Sequence, residues 1–147
     1  LTVEEIGKIM GEADFAAHQS EAEERYGDTV DWRESRERTA SWQSADWRQN
    51  AERFHDIERR MIDAIRDGAA PDSERAAGLV EEHREALSEF FPVTPAKHYI
   101  MSRGYIHDER FREHYDSQQV GFARWLADAI EHVARRQGVD IENPTWE

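Results

Sequence analysis

Residues 81–111 read EEHREALSEFFPVTPAKHYIMSRGYIHDERF, and two helical patterns in this stretch meet at a corner that contains two prolines. Pro92 ends the first pattern, because proline disfavours helical geometry in the preceding residue and has no amide hydrogen to donate. Thr94 followed by Pro95 is typical of an N-cap and the first residue of a new helix. The sequence therefore predicts a helix, a short corner and a second helix.

Aromatic and imidazole side chains gather around this corner more densely than a simple helix junction requires. The rings belong to Phe90, Phe91, Tyr99 and Tyr105, and the imidazoles to His83 and His98. Aromatic rings provide a large contact area at low entropic cost, and imidazoles provide polar contacts. Our hypothesis is that the corner forms the floor of a ligand pocket.

Away from the corner, apolar residues recur at three- and four-residue spacing, and no useful length of the chain alternates with period two. This pattern predicts an all-α fold. It is strongest from Ser44 to about Asp67, which we predict as a core helix. We also predict a long amphipathic helix over residues 117–137 that includes Val120 on its apolar face, and a short helix, KHYIMSR, that ends at Gly104.

The N-terminal third carries helix-start signals but few large apolar residues. Thr2 and Glu5 have the spacing of a capping box, which predicts a helix over about residues 3–10, and Asp14 is a candidate cap for the next helix. We predict one ligand-binding domain over the whole chain, divided into a weakly anchored N-terminal lobe or lid (1–43), a helical core (44–138) and a loose tail (139–147).

Composition limits the possible functions of these 147 residues. The 19 lysines and arginines against 32 aspartates and glutamates give a net charge of −13, and cysteine is absent. So acidic a chain should be repelled by nucleic-acid phosphates, and it has no thiol for catalysis or for covalent capture of a ligand. No apolar run approaches the roughly 20 residues that span a bilayer, and no signal pattern is visible, so we expect a cytoplasmic protein.

Metal and enzyme readings find little support in the sequence. The motif HExxH is absent, and the Glu-x-x-His pattern of di-iron bundles does not recur on two helices, so we expect neither a metal nor another cofactor. The many carboxylates lie in mixed-charge helix faces, where a solvated role is common, so we expect no enzyme. Trp47, Phe54, Phe122 and Trp125 fall on predicted core faces, whereas Tyr26, Trp32 and Trp42 lie at helix ends.

Several separated motifs resemble one known family, the TipAS-like effector domain of TipA-type regulators in the MerR family. The motifs occur in the family's order and extend over nearly the whole chain. They are EAEERYGDT (21–29), RTASW (38–42) followed by DW (46–47), EEHREAL (81–87) and YIHDERF (105–111).

This resemblance implies a compact helical domain with a globin-like arrangement and no haem, which binds amphipathic antibiotics in a broad cleft. In such regulators a winged helix-turn-helix and a dimerising helix precede the domain, and drug binding activates transcription. The thiopeptide-binding member has a cysteine that bonds to the drug at the position of Val93. Valine cannot form that bond, so reversible binding is implied here.

We therefore predict the sensing domain of a transcriptional activator that binds antibiotics or other drugs in an aromatic cleft, with ordering of the N-terminal lobe on binding. A drug-sequestering resistance protein is the alternative. Because the sequence starts at Leu1, we expect a fragment whose DNA-binding domain lies elsewhere, monomeric by itself and dimeric at full length, with no membrane contact. The predicted ligand-binding residues are Tyr26, Trp32, Trp42, His83, Phe90, Phe91, Val93, His98, Tyr99 and Tyr105.

Overall fold

A computed structural model describes residues 1–11 and 15–147, which form eight α-helices and no strand. The prediction of an all-α fold is confirmed. Asp14, the candidate cap of the second helix, lies outside the described residues. The helices are α1 (Val3–Met10), α2 (Phe15–Tyr26), α3 (Val30–Thr39), α4 (Ser44–Arg66), α5 (Glu74–Leu87), α6 (Pro95–His107), α7 (Glu109–Asp116) and α8 (Phe122–Arg136).

The chain divides into two compact units, each built from two stretches of sequence. Unit 1 contains Leu1–His55 and Ala86–Pro92, and unit 2 contains Asp56–Glu85 and Val93–Glu147. The chain therefore passes from one unit to the other within α4, near the end of α5 and again at the corner between Pro92 and Val93. The predicted division into a lobe, a core and a tail remains a prediction.

The local signals for the starts of α1 and α6 are confirmed. The Thr2 hydroxyl accepts a hydrogen bond from the Glu5 amide at 3.1 Å, and the Glu5 carboxylate accepts one from the Thr2 amide at 3.2 Å. At the start of α6, the Thr94 hydroxyl accepts a bond from the Lys97 amide at 3.2 Å, and Pro95 is the first helical residue. These bonds satisfy amides that a helix leaves without an internal partner.

Unit 2 has an apolar core to which α4, α5 and α8 contribute fully buried side chains. Each such side chain, when removed from water, stabilises the fold by roughly 1.5–3 kcal/mol before entropy costs are subtracted. The Trp125 indole N–H also donates to the Ala69 carbonyl oxygen at 2.9 Å. The largest buried apolar residues are Ile57, Met61, Val80, Phe122, Leu126 and Ile130.

The longest helix, α4, has 23 residues, and charged side chains recur along it. Its sequence therefore places one face in the core and leaves the other in water.

Within residues 1–11 and 15–147, no helix is both long enough and apolar enough to cross a membrane.

Two predicted boundaries are wrong, and both involve glycine. The helix α6 does not end at Gly104 but continues to His107, where Asp108 ends it and caps α7. The helix α8 does not include Val120, which is 85% exposed, because Gly121 has φ +82° and the helix begins only after it. Glycine permits a left-handed break but does not impose one.

Alanine substitution at these two glycines should have opposite effects on stability. Gly104 has no left-handed φ and no heavy atom within 4 Å of an added Cβ, so Gly104→Ala should raise the free energy of unfolding by about 0.5–1 kcal/mol. Gly121→Ala should lower it by about 1–2 kcal/mol, because a Cβ is strained at φ +82°. Urea unfolding measures the change in the free energy of unfolding for each variant. Changes of the same sign would contradict the backbone conformations assigned to the two glycines.

Candidate ligand-binding site

Unit 1 contains three aromatic rings in mutual contact, which we name the aromatic cluster: Trp42, Trp47 and Phe90. The ring centroids of Trp42 and Trp47 are 4.7 Å apart at an interplanar angle of 68°, an edge-to-face arrangement. Phe90 lies 5.4 Å from Trp42 and 6.2 Å from Trp47. Trp47 is buried, whereas Trp42 and Phe90 are half-buried. The cluster therefore combines an anchored ring with two rings that retain accessible surface.

Short turns place the two half-buried rings. Trp42 lies between α3 and α4, where its amide donates to the Thr39 carbonyl oxygen at 3.0 Å. Phe90 follows the end of α5, and its amide donates to the Leu87 carbonyl oxygen at 3.1 Å. Trp47 belongs to the first turn of α4 and faces the interior, as predicted. Turn residues are less constrained by helix packing, which suits side chains that contact a ligand.

A polar group that the sequence analysis did not identify lies next to the cluster. Asn50 is one helical turn after Trp47, is 2% exposed, and its Nδ2 donates to the Glu89 carboxylate at 2.8 Å. The Arg53 guanidinium donates to the other oxygen of Glu89. Because Glu89 immediately precedes Phe90, this polar pair and the aromatic pair of Trp47 and Phe90 join the same two segments. An asparagine on the apolar face of α4 is the sequence signal that could have identified it.

In unit 2, His83 of α5 and His98 of α6 form a buried pair. His83 Nδ1 and His98 Nε2 are 2.9 Å apart, so one ring donates its hydrogen to the other, and both residues are 1% exposed. Their rings stack with centroids 5.1 Å apart. The Tyr105 ring meets His83 edge-on at 6.1 Å. Two of the predicted polar contacts for a ligand are therefore also partners of each other.

Burial favours the neutral form of four side chains in unit 2: His83, His98, Tyr105 and Tyr115. It lowers the pKa of His83 from an ordinary 6.5 to about 4. The pKa of His98 is also well below its ordinary value, because of burial first and then the charges of His83 and Arg84. Burial likewise raises the pKa of Tyr105 and of Tyr115. Near pH 7 the two imidazoles are therefore uncharged hydrogen-bonding groups.

The ten predicted ligand residues divide equally between the units. In unit 1, Trp42 and Phe90 belong to the aromatic cluster, Trp32 and Phe91 are half-buried, and Tyr26 is exposed. In unit 2, His83 contacts both His98 and Tyr105. Val93 and Tyr99 are also buried there, and the Arg103 guanidinium lies 4.5 Å from the centroid of the Tyr99 ring. A ligand would find accessible ring surface mainly at the unit 1 members.

The buried histidine pair makes stability dependent on pH. Between pH 6.5 and 4 the unfolded chain protonates His83 more readily than the folded chain does, so the free energy of unfolding should fall as the pH is lowered through this range. For His83 alone the loss is about 3 kcal/mol. Urea unfolding at several pH values measures this slope.

A matched pair of variants isolates the contribution of the histidines from that of the carboxylates. The double variant His83→Leu with His98→Leu should show a flatter dependence on pH, whereas His55→Leu, at an exposed position, should keep the slope of the unsubstituted chain. Only the slopes are compared, so a change in absolute stability does not affect the result. Equal slopes in all three proteins would show that the pair does not titrate as described.

Among the residues that the structure describes, no group of three or more histidine, aspartate or glutamate side chains is suitably placed to hold a metal ion. The exposed His114 instead pairs with the buried Glu58 carboxylate at 3.0 Å. The contacts observed in the aromatic cluster and in the histidine pair are ring contacts and hydrogen bonds.

Comparison with known proteins connects these features to one family. The TipAS antibiotic-recognition domain matches residues 18–133. The HTH-type transcriptional activators TipA of Streptomyces coelicolor and of Streptomyces lividans are each 31% identical over 131 residues. These alignments cover 88% of this chain and 52% of each relative, so the chain spans about half the length of the relatives it matches.

A solved structure has the same fold. It contains TipAS from Streptomyces lividans in complex with the thiopeptide antibiotic nosiheptide, and it superposes with a TM-score of 0.83 at 31% sequence identity. The superposition covers 94% of this chain and 97% of the other. Taken with the domain match over most of the sequence, this shows that the chain belongs to the TipAS antibiotic-recognition domain family.

Proposed function

We propose that this chain is the ligand-sensing domain of a MerR-family transcriptional activator and that it binds amphipathic antibiotics without a covalent bond. The observation that carries the proposal is the aromatic cluster, in which Trp42 and Phe90 keep accessible ring surface beside the anchored Trp47. Membership of an antibiotic-recognition family supports the same conclusion. Binding and regulation, without catalysis, are the proposed activity.

The ligand contacts should be ring against ring. Aromatic pairs in offset or edge-to-face geometry gain about 0.5–1.5 kcal/mol beyond the area they bury. The half-buried rings of Trp32 and Phe91 and the exposed ring of Tyr26 extend the proposed contact surface of unit 1. The five predicted ligand residues of unit 2 remain a prediction. With no cysteine in the chain, capture through a cysteine thiol is excluded, and binding depends on non-covalent contacts.

The names of the relatives favour a sensor over a protein that only sequesters drugs. Both TipA proteins are transcriptional activators, and the chain corresponds to about half of their length. A net charge of −13 disfavours contact with DNA phosphates by this domain. DNA contact would therefore belong to another part of a homodimeric, cytoplasmic regulator, with this domain monomeric by itself.

Ordering of the N-terminal lobe, residues 1–43, is the proposed link between binding and regulation. Weak apolar anchoring supports it: α3 has no buried residue, and polar contacts such as the bond from Arg38 to the Ser88 carbonyl oxygen at 2.7 Å hold it in place. Segments that become ordered on binding bear a cost of several kcal/mol, which lowers affinity but couples the ligand to a change of state. That change would act on a neighbouring DNA-binding domain.

Removing an accessible ring should weaken the binding of nosiheptide, the antibiotic bound in the Streptomyces lividans structure. We expect Trp42→Ala and Phe90→Ala each to raise Kd about tenfold or more, because each loses ring contact with the ligand. Titration calorimetry measures Kd, and urea unfolding reports any loss of stability. Phe111→Ala, at a phenylalanine that is 47% exposed in unit 2, is the matched control and should bind normally. An unchanged Kd in both cluster variants would refute the placement of the site.

Amide hydrogen exchange tests the proposed ordering of the lobe. With saturating nosiheptide, amides of residues 1–43 should exchange at least tenfold more slowly than in the free protein, because binding suppresses local opening. The amides of α8, which has a largely buried apolar face, provide the internal reference. Equal protection of residues 1–43 with and without bound nosiheptide would exclude ligand-coupled ordering.

A further inference from the structure

The side-chain amide of Asn50 uses its nitrogen, but not its oxygen, in a hydrogen bond. Its Nδ2 donates to Glu89 Oε2 at 2.8 Å, while its Oδ1 is buried and has no hydrogen-bond partner among residues 1–11 and 15–147. A buried acceptor that leaves water without gaining a donor destabilises the folded chain. Such a group in a native protein calls for a partner.

The orientation of this amide is determined by its neighbour. An asparagine side chain is often ambiguous, because its oxygen and nitrogen are interchangeable in shape. Here the Glu89 carboxylate only accepts hydrogen bonds, so rotating the Asn50 amide by 180° would place two acceptors against each other. The oxygen of Asn50 is therefore the atom directed away from Glu89.

Asn50 also lies beside the rings proposed to contact the ligand. It follows Trp47 by three residues on α4, so the two side chains share one face of the helix. Its partner Glu89 precedes Phe90, which contacts both Trp42 and Trp47. The unused acceptor and the aromatic cluster thus belong to the same small region of unit 1.

We infer that Asn50 Oδ1 is the polar anchor of this site and accepts a hydrogen bond from an N–H group of an amide or lactam next to the aromatic part of the ligand. This inference rests on the proposed function and adds the chemical class of the group that is recognised. A buried acceptor selects strongly for ligands that carry the donor, because a ligand without it leaves the oxygen unpaired. As Asn50 is 2% exposed, the side chains around it move apart when the ligand enters.

Two small planar probes separate the hydrogen bond from ring contact: 2-quinolone, a lactam with an N–H group, and its N-methyl derivative. In the unsubstituted protein we expect 2-quinolone to bind about tenfold more tightly and to shift the NMR signals of the Asn50 side-chain amide. In Asn50→Leu the two affinities should become nearly equal. Any steric effect of the methyl group would persist in that variant, since leucine and asparagine have the same number and branching of side-chain heavy atoms. The change in the affinity ratio therefore reports the hydrogen bond.

Gln49→Leu is the matched control, because Gln49 is the exposed neighbour of Asn50 on α4, and it should keep the tenfold ratio. Equal affinities of the two probes in the unsubstituted protein, or an unchanged ratio in Asn50→Leu, would overturn the inference. The first of these comparisons needs no variant, so it stands even if Asn50→Leu fails to fold.

Nosiheptide binding separates this inference from the function on which it rests. If the unsubstituted protein binds nosiheptide but neither quinolone shifts the Asn50 signals, the polar anchor is wrong and the proposed function stands. If nosiheptide and both quinolones fail to bind, the proposed function is wrong and the anchor falls with it.

Discussion

The hydrogen bond between His83 and His98 is a buried polar constraint that the packing of unit 2 has to satisfy. It joins α5 to α6 at a point where both side chains are almost completely buried. Each imidazole satisfies the other, so replacing one leaves a buried polar group unpaired, at a cost of about 1–3 kcal/mol. Since burial also disfavours the charged imidazoles, the bond between the two helices is favoured while both rings are neutral.

Much of the helical framework could be predicted from the sequence, because its signals act within one turn. Thr94 and Pro95 start α6 through a bond that spans three residues, so no tertiary information is needed. The predicted end at Gly104 failed for the opposite reason. Tyr105 is buried immediately after Gly104, and its packing outweighs the modest helix penalty of a glycine. Where tertiary burial competes with a weak local preference, the sequence pattern alone gives the wrong boundary.

The ring members of the candidate site could be predicted one by one, but their pairing could not. The position of Trp42 at a helix end and of Phe90 at the corner predicts each ring by itself, yet their contact joins positions 48 residues apart in the sequence. The bond between Asn50 and Glu89 spans 39 residues in the same way. Such contacts depend on how segments that are distant in the sequence pack together in the fold, and the periodicity of apolar residues does not encode this packing. Asn50 on an apolar helix face was the visible clue, because a buried amide needs partners.

The absence of cysteine limits how the proposed site can hold a drug, because it leaves no thiol for a covalent bond. A covalent site would retain a drug regardless of its free concentration, whereas rings and a hydrogen-bond acceptor release it as that concentration falls. In the proposed function, ordering of the lobe further lowers affinity, so occupancy follows concentration over the range set by Kd. Selectivity must then come from the few buried protein groups that need a hydrogen bond from the ligand, because water does not reach them in the complex. The proposed site would meet that requirement, because contact with its three rings would admit many drugs while the buried acceptor would reject those without a donor.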